Sequence, residues 1–288
     1  MKRLLFTTIF VVAISCLSTL AQAQCPAGLT SPLQLITGQT WVFQTQSSAN
    51  PMGEASIGKF TATYVPPTTK LPSGKGTLNI TETISLPSTV VRELAVPGGS
   101  YEINPDCSGG TLFFSTAEQP AQFTFIFARN FTQMYLMSSV VSADIPINIW
   151  GKATLLFSPI VCPANPLNVF NGTTFGFGLS PASYYGSNPP AGVGIFTAGP
   201  GTDRGSTVGL VSGTLSLAPF DGSPTIQASF PEGRYTVDPD CSGGTISFLT
   251  SVLPQGFQYI FVNSDFTEMY MLSLDETDPL GGDAKRFR

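Results

Sequence analysis

The chain has 288 residues, of which 11% are charged, with 13 Lys and Arg against 18 Asp and Glu and a net charge of −5. Beyond Lys2-Arg3 at the start, its basic residues stand singly apart from Lys285-Arg286 and Arg288, so the clustered cations of a nucleic-acid-binding surface are missing and no nucleic-acid partner is expected. No histidine occurs, which removes Ser-His-Asp and Cys-His catalysis, imidazole zinc sites and histidine proton transfer.

Met1-Lys-Arg3, the apolar run from Leu4 to about Leu17, and Ala21-Gln-Ala23 have the form of a secretory signal over residues 1–23, with cleavage after Ala23. A lipoprotein signal ending at Cys16 is the competing reading, which Ala13-Ile-Ser-Cys16 fits poorly. The apolar run falls short of the roughly 20 residues that a membrane span requires, and no later stretch is long and apolar enough, so no transmembrane segment is expected. Past the cleavage point remain Cys25, Cys107, Cys162 and Cys241. An even number in an oxidising compartment reads as disulfides, with three possible connectivities.

The remainder is a tandem duplication. Gly99-Ser-Tyr-Glu-Ile-Asn-Pro-Asp-Cys-Ser-Gly-Gly-Thr-Leu-Phe-Phe114 recurs as Gly233-Arg-Tyr-Thr-Val-Asp-Pro-Asp-Cys-Ser-Gly-Gly-Thr-Ile-Ser-Phe248, and Tyr101 to Tyr235, Cys107 to Cys241 and Phe127 to Phe261 share a period of 134. Each unit opens with Cys-Pro-Ala, at Cys25 and Cys162, followed by a strand containing Trp41 and Phe43 or Phe175 and Phe177. The units are therefore placed at 24–160 and 161–288. In the first, strands follow at Ile57 to Val65 and Gly76 to Ser85, on either side of the central turn, at Phe123 to Phe127, at Phe131 to Met137 and at Ile147 to Leu156. The second repeats them, slipping by two or three residues where the loops differ in length. Period-two alternation and abundant Gly and Pro predict about eight strands per unit and almost no helix.

The motif G-x-Y-x-[VI]-x-P-D-C-S-G-G resembles one found in secreted bacterial β-proteins of unassigned activity, in which a G-x-A-[KR]-R ending follows. Gly282-Asp-Ala-Lys-Arg286 has that ending and Gly151-Lys-Ala-Thr-Leu155 lacks its basic pair. A looser likeness, carried by Gly38-x-x-Trp41 and by strand number, is to lipocalins and other calycins. It implies a calycin-like barrel and, by analogy only, an apolar ligand.

In the repeated turn, Pro105 and Pro239 fix φ, Asp106 and Asp240 bond their own backbone, and Gly109, Gly110, Gly243 and Gly244 are expected to supply positive φ. Asp238-Pro-Asp240 could offer oxygens to calcium, but too few for its coordination, so neither metal nor cofactor is expected. Glu82, Glu93, Glu102, Glu118 and Asp144 show no spacing that singles out a catalytic pair, and no catalytic residue is assigned. Met134, Met137, Met269 and Met271 read as core filling rather than a copper(I) site. Trp41 and Trp150 likewise read as core rather than sugar platforms.

The expected fold is two tandem antiparallel up-and-down β-barrels, each of about eight strands, with two β-sandwiches as the alternative. In an up-and-down barrel the turn between the fourth and fifth strands lies at the rim where the first strand begins. Cys25 is therefore expected to reach Cys107, and Cys162 to reach Cys241, with each lead crossing the barrel floor. The functional expectation is a secreted, non-enzymatic module holding a small apolar molecule in a barrel mouth or interior. The alternatives are a structural or adhesive envelope protein with solid barrels and an isomerase of the allene-oxide-cyclase kind.

Overall fold

The computed structural model describes residues 25–47, 55–68, 75–86, 89–115, 120–138, 149–181, 191–201, 206–219, 223–249, 256–274 and 280–287, without the side chains of 86, 89–97, 115, 120 and 121. The expected signal, Glu118, Asp144 and the Glu93 side chain lie outside the described residues. So do residues 48–54, 116–119 and 139–148.

Two closed antiparallel barrels of eight strands follow one another along the chain. The first comprises β1 (Thr40–Ser47), β2 (Ala55–Val65), β3 (Lys75–Leu86), β4 (Thr89–Ile103), β5 (Gly109–Ser115), β6 (Pro120–Ala128), β7 (Gln133–Ser138) and β8 (Ile149–Leu156). It closes where β8 pairs with β1, from Thr40 opposite Leu156 to Ser47 opposite Ile149. The second comprises β9 (Thr174–Pro181), β10 (Ala191–Gly201), β11 (Val208–Ala218), β12 (Ile226–Val237), β13 (Gly243–Phe248), β14 (Phe257–Phe261), β15 (Glu268–Ser273) and β16 (Leu280–Arg286), with β16 closing on β9. Closure replaces the sandwich alternative and leaves neither sheet an open edge.

Alternate residues of each strand point inward. Trp41 lies flat on Phe60, centroids 6.3 Å apart and planes at 10°. In the second barrel Phe175 lies on Phe196 at 5.3 Å and 15°. Phe43, Phe114 and Phe125 complete the first interior and Phe230, Phe248 and Tyr259 the second, all essentially inaccessible. An eight-stranded barrel has room for side chains or a small ligand, and these interiors are occupied by aromatic rings.

One end of each barrel is plugged by its lead. A single 3-10 turn, Pro32–Leu35, is capped by Ser31 and Gln34, and its counterpart Pro166–Val169 by Asn165. Cys25 is bonded to Cys107 and Cys162 to Cys241. The motif tyrosine holds each plug from inside: the Tyr101 hydroxyl donates to the Leu33 carbonyl at 2.8 Å, and Tyr235 to the Leu167 and Gly199 carbonyls at 3.2 and 2.9 Å. Burial pushes the Tyr235 phenol up to about 12 from its ordinary 10. The unfolded chain therefore ionises first as pH rises, so stability from this group is intact below pH 10 and is drained between pH 10 and about 12. An alkaline titration monitored by phenolate absorbance will show Tyr235→Phe losing less stability than wild type across that window. Equal losses in the two proteins would exclude Tyr235 as the sensitive group.

The repeated turn corrects one expectation. The residues that adopt left-handed backbone are Cys107 (φ 57°) and Cys241 (φ 55°), immediately after the aspartates. The Asp106 carboxylate accepts the Ser108 N–H at 3.0 Å and its hydroxyl at 2.7 Å, and these bonds lower its pKa. Of the four glycines only Gly244 has the expected positive φ (158°); all four have already entered the next strand, and close approach is what they permit. A Cβ on Gly109 would sit 2.0 Å from the Phe125 carbonyl oxygen, and one on Gly243 2.2 Å from that of Tyr259. Gly110 and Gly244 meet the Glu102 and Thr236 carbonyls in the same way, at 1.9 and 2.1 Å.

Candidate functional site

The barrels dock side by side, and outward-facing residues make the joint. Val42, Ala55 and Ile57 of β1 and β2 pack against Tyr270 and Leu272 of β15 and against Val262, all at most 2% exposed. Ile260 of β14 joins them. The Tyr270 hydroxyl meets the Thr154 hydroxyl at 2.8 Å, and the Lys152 ammonium lies 4.9 Å above its ring. Burial raises the Tyr270 pKa further than the opposing hydrogen bond from Thr154 lowers it. At one edge Lys59 and Asp240 are 3.9 Å apart, an exposed pair that contributes little. Burial raises the Asp240 pKa, but the Ser242 hydrogen bonds and the Lys59 charge outweigh it and the net shift is downward.

The joint has approximate two-fold symmetry. The Gln46 amide donates to the Ser180 hydroxyl at 3.3 Å, and these residues are 134 apart, so a position touches its own repeat counterpart. Strand pairing supplies the other equivalences. Tyr135 and Lys152 face each other as Tyr270 and Asp283 do, and Met137 and Trp150 as Leu272 and Gly281 do. Ile57 lies opposite Gln44 as Val193 lies opposite Gly178. On one flank β1 and β2 meet β15 and β16. The symmetric flank, where β7 and β8 stand opposite β9 and β10, is open.

That open flank is a cleft of about 660 Å³. Its first wall carries Trp150 and Tyr135, 55% and 51% exposed, and its second carries Val193, 64% exposed, with Gly178, Ala191 and Ser216. The cause is local in sequence. Outward residues Val42, Gln44 and Gln46 of β1 become Gly176, Gly178 and Ser180 in β9. A Cβ on Gly178 would meet nothing within 4 Å. The closed flank has the reverse fit: a Cβ on Gly281 would be 2.4 Å from the Gln46 amide nitrogen, whereas its counterpart in the open flank is Trp150. Small opposes large on one side, and small opposes a tryptophan that stands free on the other.

The exposed lining of the cleft is mostly apolar, with the Tyr135 hydroxyl, Ser216, Thr225 and Asp283 as polar groups on its walls, and three further polar side chains are engaged within the protein. The Gln44 amide lies against Gly282, and the orientation that satisfies both groups has its nitrogen donating to the Gly282 carbonyl at 3.0 Å and its oxygen accepting the Gly282 N–H at 3.1 Å. Gln46 is engaged with Ser180, and Lys152 with the Tyr270 ring.

Trp150 and Met137, expected in the core, are instead exposed at 55% and 61%, because their places on β8 and β7 face outward. Trp41, Met134, Met269 and Met271 are buried. Of the carboxylates, Glu102 is exposed on β4. Glu82 is 9% exposed and borders a second groove on the joint with Lys59, Asp238 and Asp240. Among the described residues no three Asp, Glu or Cys side chains are grouped as metal ligands, and no helix is long and apolar enough to cross a membrane.

No protein-family model and no curated protein matches the chain. Among solved structures it is similar to a protein of unknown function of the DUF3598 family from Nostoc punctiforme, at 11% identity over 89% of this chain and 98% of that one, with a TM-score of 0.25. It is also similar to a "putative outer membrane protein" from Bacteroides fragilis, at 13% identity over 90% of this chain and 100% of that one, with a TM-score of 0.23.

Proposed function

We propose that the protein is a secreted, non-enzymatic binding module that holds one small apolar molecule in the cleft between its barrels. The observation that carries this reading is the 660 Å³ cleft with solvent-facing Trp150, Tyr135 and Val193 on its walls. Pockets of roughly 300–1,000 Å³ lined by aromatic and aliphatic groups are the usual form of small-molecule sites. Filled interiors move the expected ligand from inside a barrel to the space between two. The two disulfides fit an oxidising, non-cytoplasmic compartment. Release after Ala23 belongs to the same proposal, and the mature protein would begin at Gln24.

Titration with Nile red tests the reading. One dye per chain, with blue-shifted emission, is expected for the wild type. Gly178→Trp, which fills open space on the outer face of β9, should weaken that binding at least tenfold while leaving the far-ultraviolet spectrum unchanged. Dye binding indifferent to Gly178→Trp would remove the cleft as the site.

The solid interiors also suit a structural or adhesive envelope role. That reading would gain if no apolar compound bound to the wild type at all.

A further inference from the structure

We infer that the cleft selects a flat, uncharged ring system with a single polar edge, in preference to a flexible acyl chain or a saccharide. This rests on the binding reading above and concerns only which ligand class the same cleft accepts.

The closed flank shows what fills the joint when side chains suffice. There the Tyr270 ring and Leu272 pack over Val42, Ala55 and Ile57 and bury all three. In the open flank the ring is present again as Tyr135, but β9 carries no side chain at Gly178 and only a small one at Ser180. One wall thus offers two aromatic groups on adjacent strands, Tyr135 on β7 and Trp150 on β8. The other offers bare backbone at Gly178, flanked by Ala191 and the exposed Val193. An aromatic wall opposite a smooth one makes a slot, and a slot is complementary to a planar body that stacks on one face and lies against backbone on the other. A flexible chain would lose rotational freedom on entering and would gain no stacking.

Polarity separates the rings from the sugars. A saccharide presents hydroxyls around its whole edge, and a pocket that leaves them without partners binds it poorly. Gln44 and Gln46 are already engaged with Gly282 and Ser180 and Lys152 lies over the Tyr270 ring, which leaves the Tyr135 hydroxyl, Ser216, Thr225 and Asp283 in a lining whose exposed surface is mostly apolar. Ser180 is taken up by Gln46 at 3.3 Å and by the Gly281 carbonyl at 3.5 Å, so a bond to one of the remaining hydroxyls, such as that of Tyr135, suits a ligand with one hydroxyl or carbonyl at its edge.

Calorimetric titration with three probes tests this: 1-naphthol, 1-octanol and methyl β-cellobioside. The first two carry one hydroxyl each and differ chiefly in planarity. 1-Naphthol should bind one per chain and at least tenfold more tightly than 1-octanol, with no heat from the cellobioside. Trp150→Leu should reduce the preference for 1-naphthol to less than threefold, and Gly178→Trp should abolish its binding. If 1-octanol or the cellobioside binds as tightly as 1-naphthol in a manner blocked by Gly178→Trp, the cleft is a site and the ligand class inferred here is wrong. Should no probe bind while Nile red is still excluded by Gly178→Trp, the class is again wrong and the binding reading stands. If Gly178→Trp affects neither Nile red nor any probe, both fall together.

Discussion

Replacing Cys25 and Cys107 together by serine will destabilise the first barrel by about 4.5 kcal/mol, the loop-closure estimate for a bridge spanning 82 residues. The same change at Cys162 and Cys241, spanning 79, should cost the second barrel a similar amount. The bridge does more than restrict the unfolded chain. It anchors the lead whose Leu33 carbonyl receives the Tyr101 hydroxyl, so in the variant the plug can detach and admit water to the floor of the aromatic core. Urea unfolding followed by Trp41 emission in a Trp150→Phe background reports on the first barrel alone. A loss below 1 kcal/mol would show that the plug is held by its packing and not by the bridge.

Tyr270→Ala should weaken the joint by about 3–5 kcal/mol, the range for deleting a fully buried aromatic side chain. Tyr270 is inaccessible, contacts the first barrel through Thr154 and Lys152, and belongs to a cluster drawn from both barrels. Because each barrel keeps its own interior, the expected result is uncoupling and not collapse. Urea curves should split into two transitions, and small-angle scattering should show a larger radius of gyration. Tyr270→Phe, which keeps the ring and loses only the hydroxyl contact, should remain a single transition. If the alanine variant also unfolds in one step, the barrels are held together by something other than this cluster.

Much of the architecture was legible in the residues. Period-two aromatics such as Phe123 and Phe125 gave inward faces, the recurring Cys-Pro leads gave the repeat, and strand counting placed Cys107 at the rim where the lead ends. What escaped was everything on the outer faces. Trp150 looks like core in one dimension because an outward aromatic differs from an inward one only by a step of register. The glycines of the turn read as φ suppliers in the sequence, whereas at Gly109 and Gly243 the constraint is a neighbouring strand that the local sequence does not name. A signal for the cleft did exist. Comparing the two units position by position shows Val42, Gln44 and Gln46 each reduced in size at Gly176, Gly178 and Ser180. It could be interpreted only once the outer face of β9 was known to oppose that of β8.

The approximate two-fold through Gln46 and Ser180 has a consequence for stoichiometry. Two identical barrels meeting about such an axis would present two equivalent flanks, obliged by symmetry to be both packed or both open. A homodimer that packed both would offer no cleft, and one that opened both would lose the apolar contact holding it together. Joining the barrels in one polypeptide removes that obligation. One copy of the outer face could become adhesive at Tyr270 and Leu272 while the other became hollow at Gly178, so cohesion and vacancy are divided between sister surfaces, with one cleft per chain.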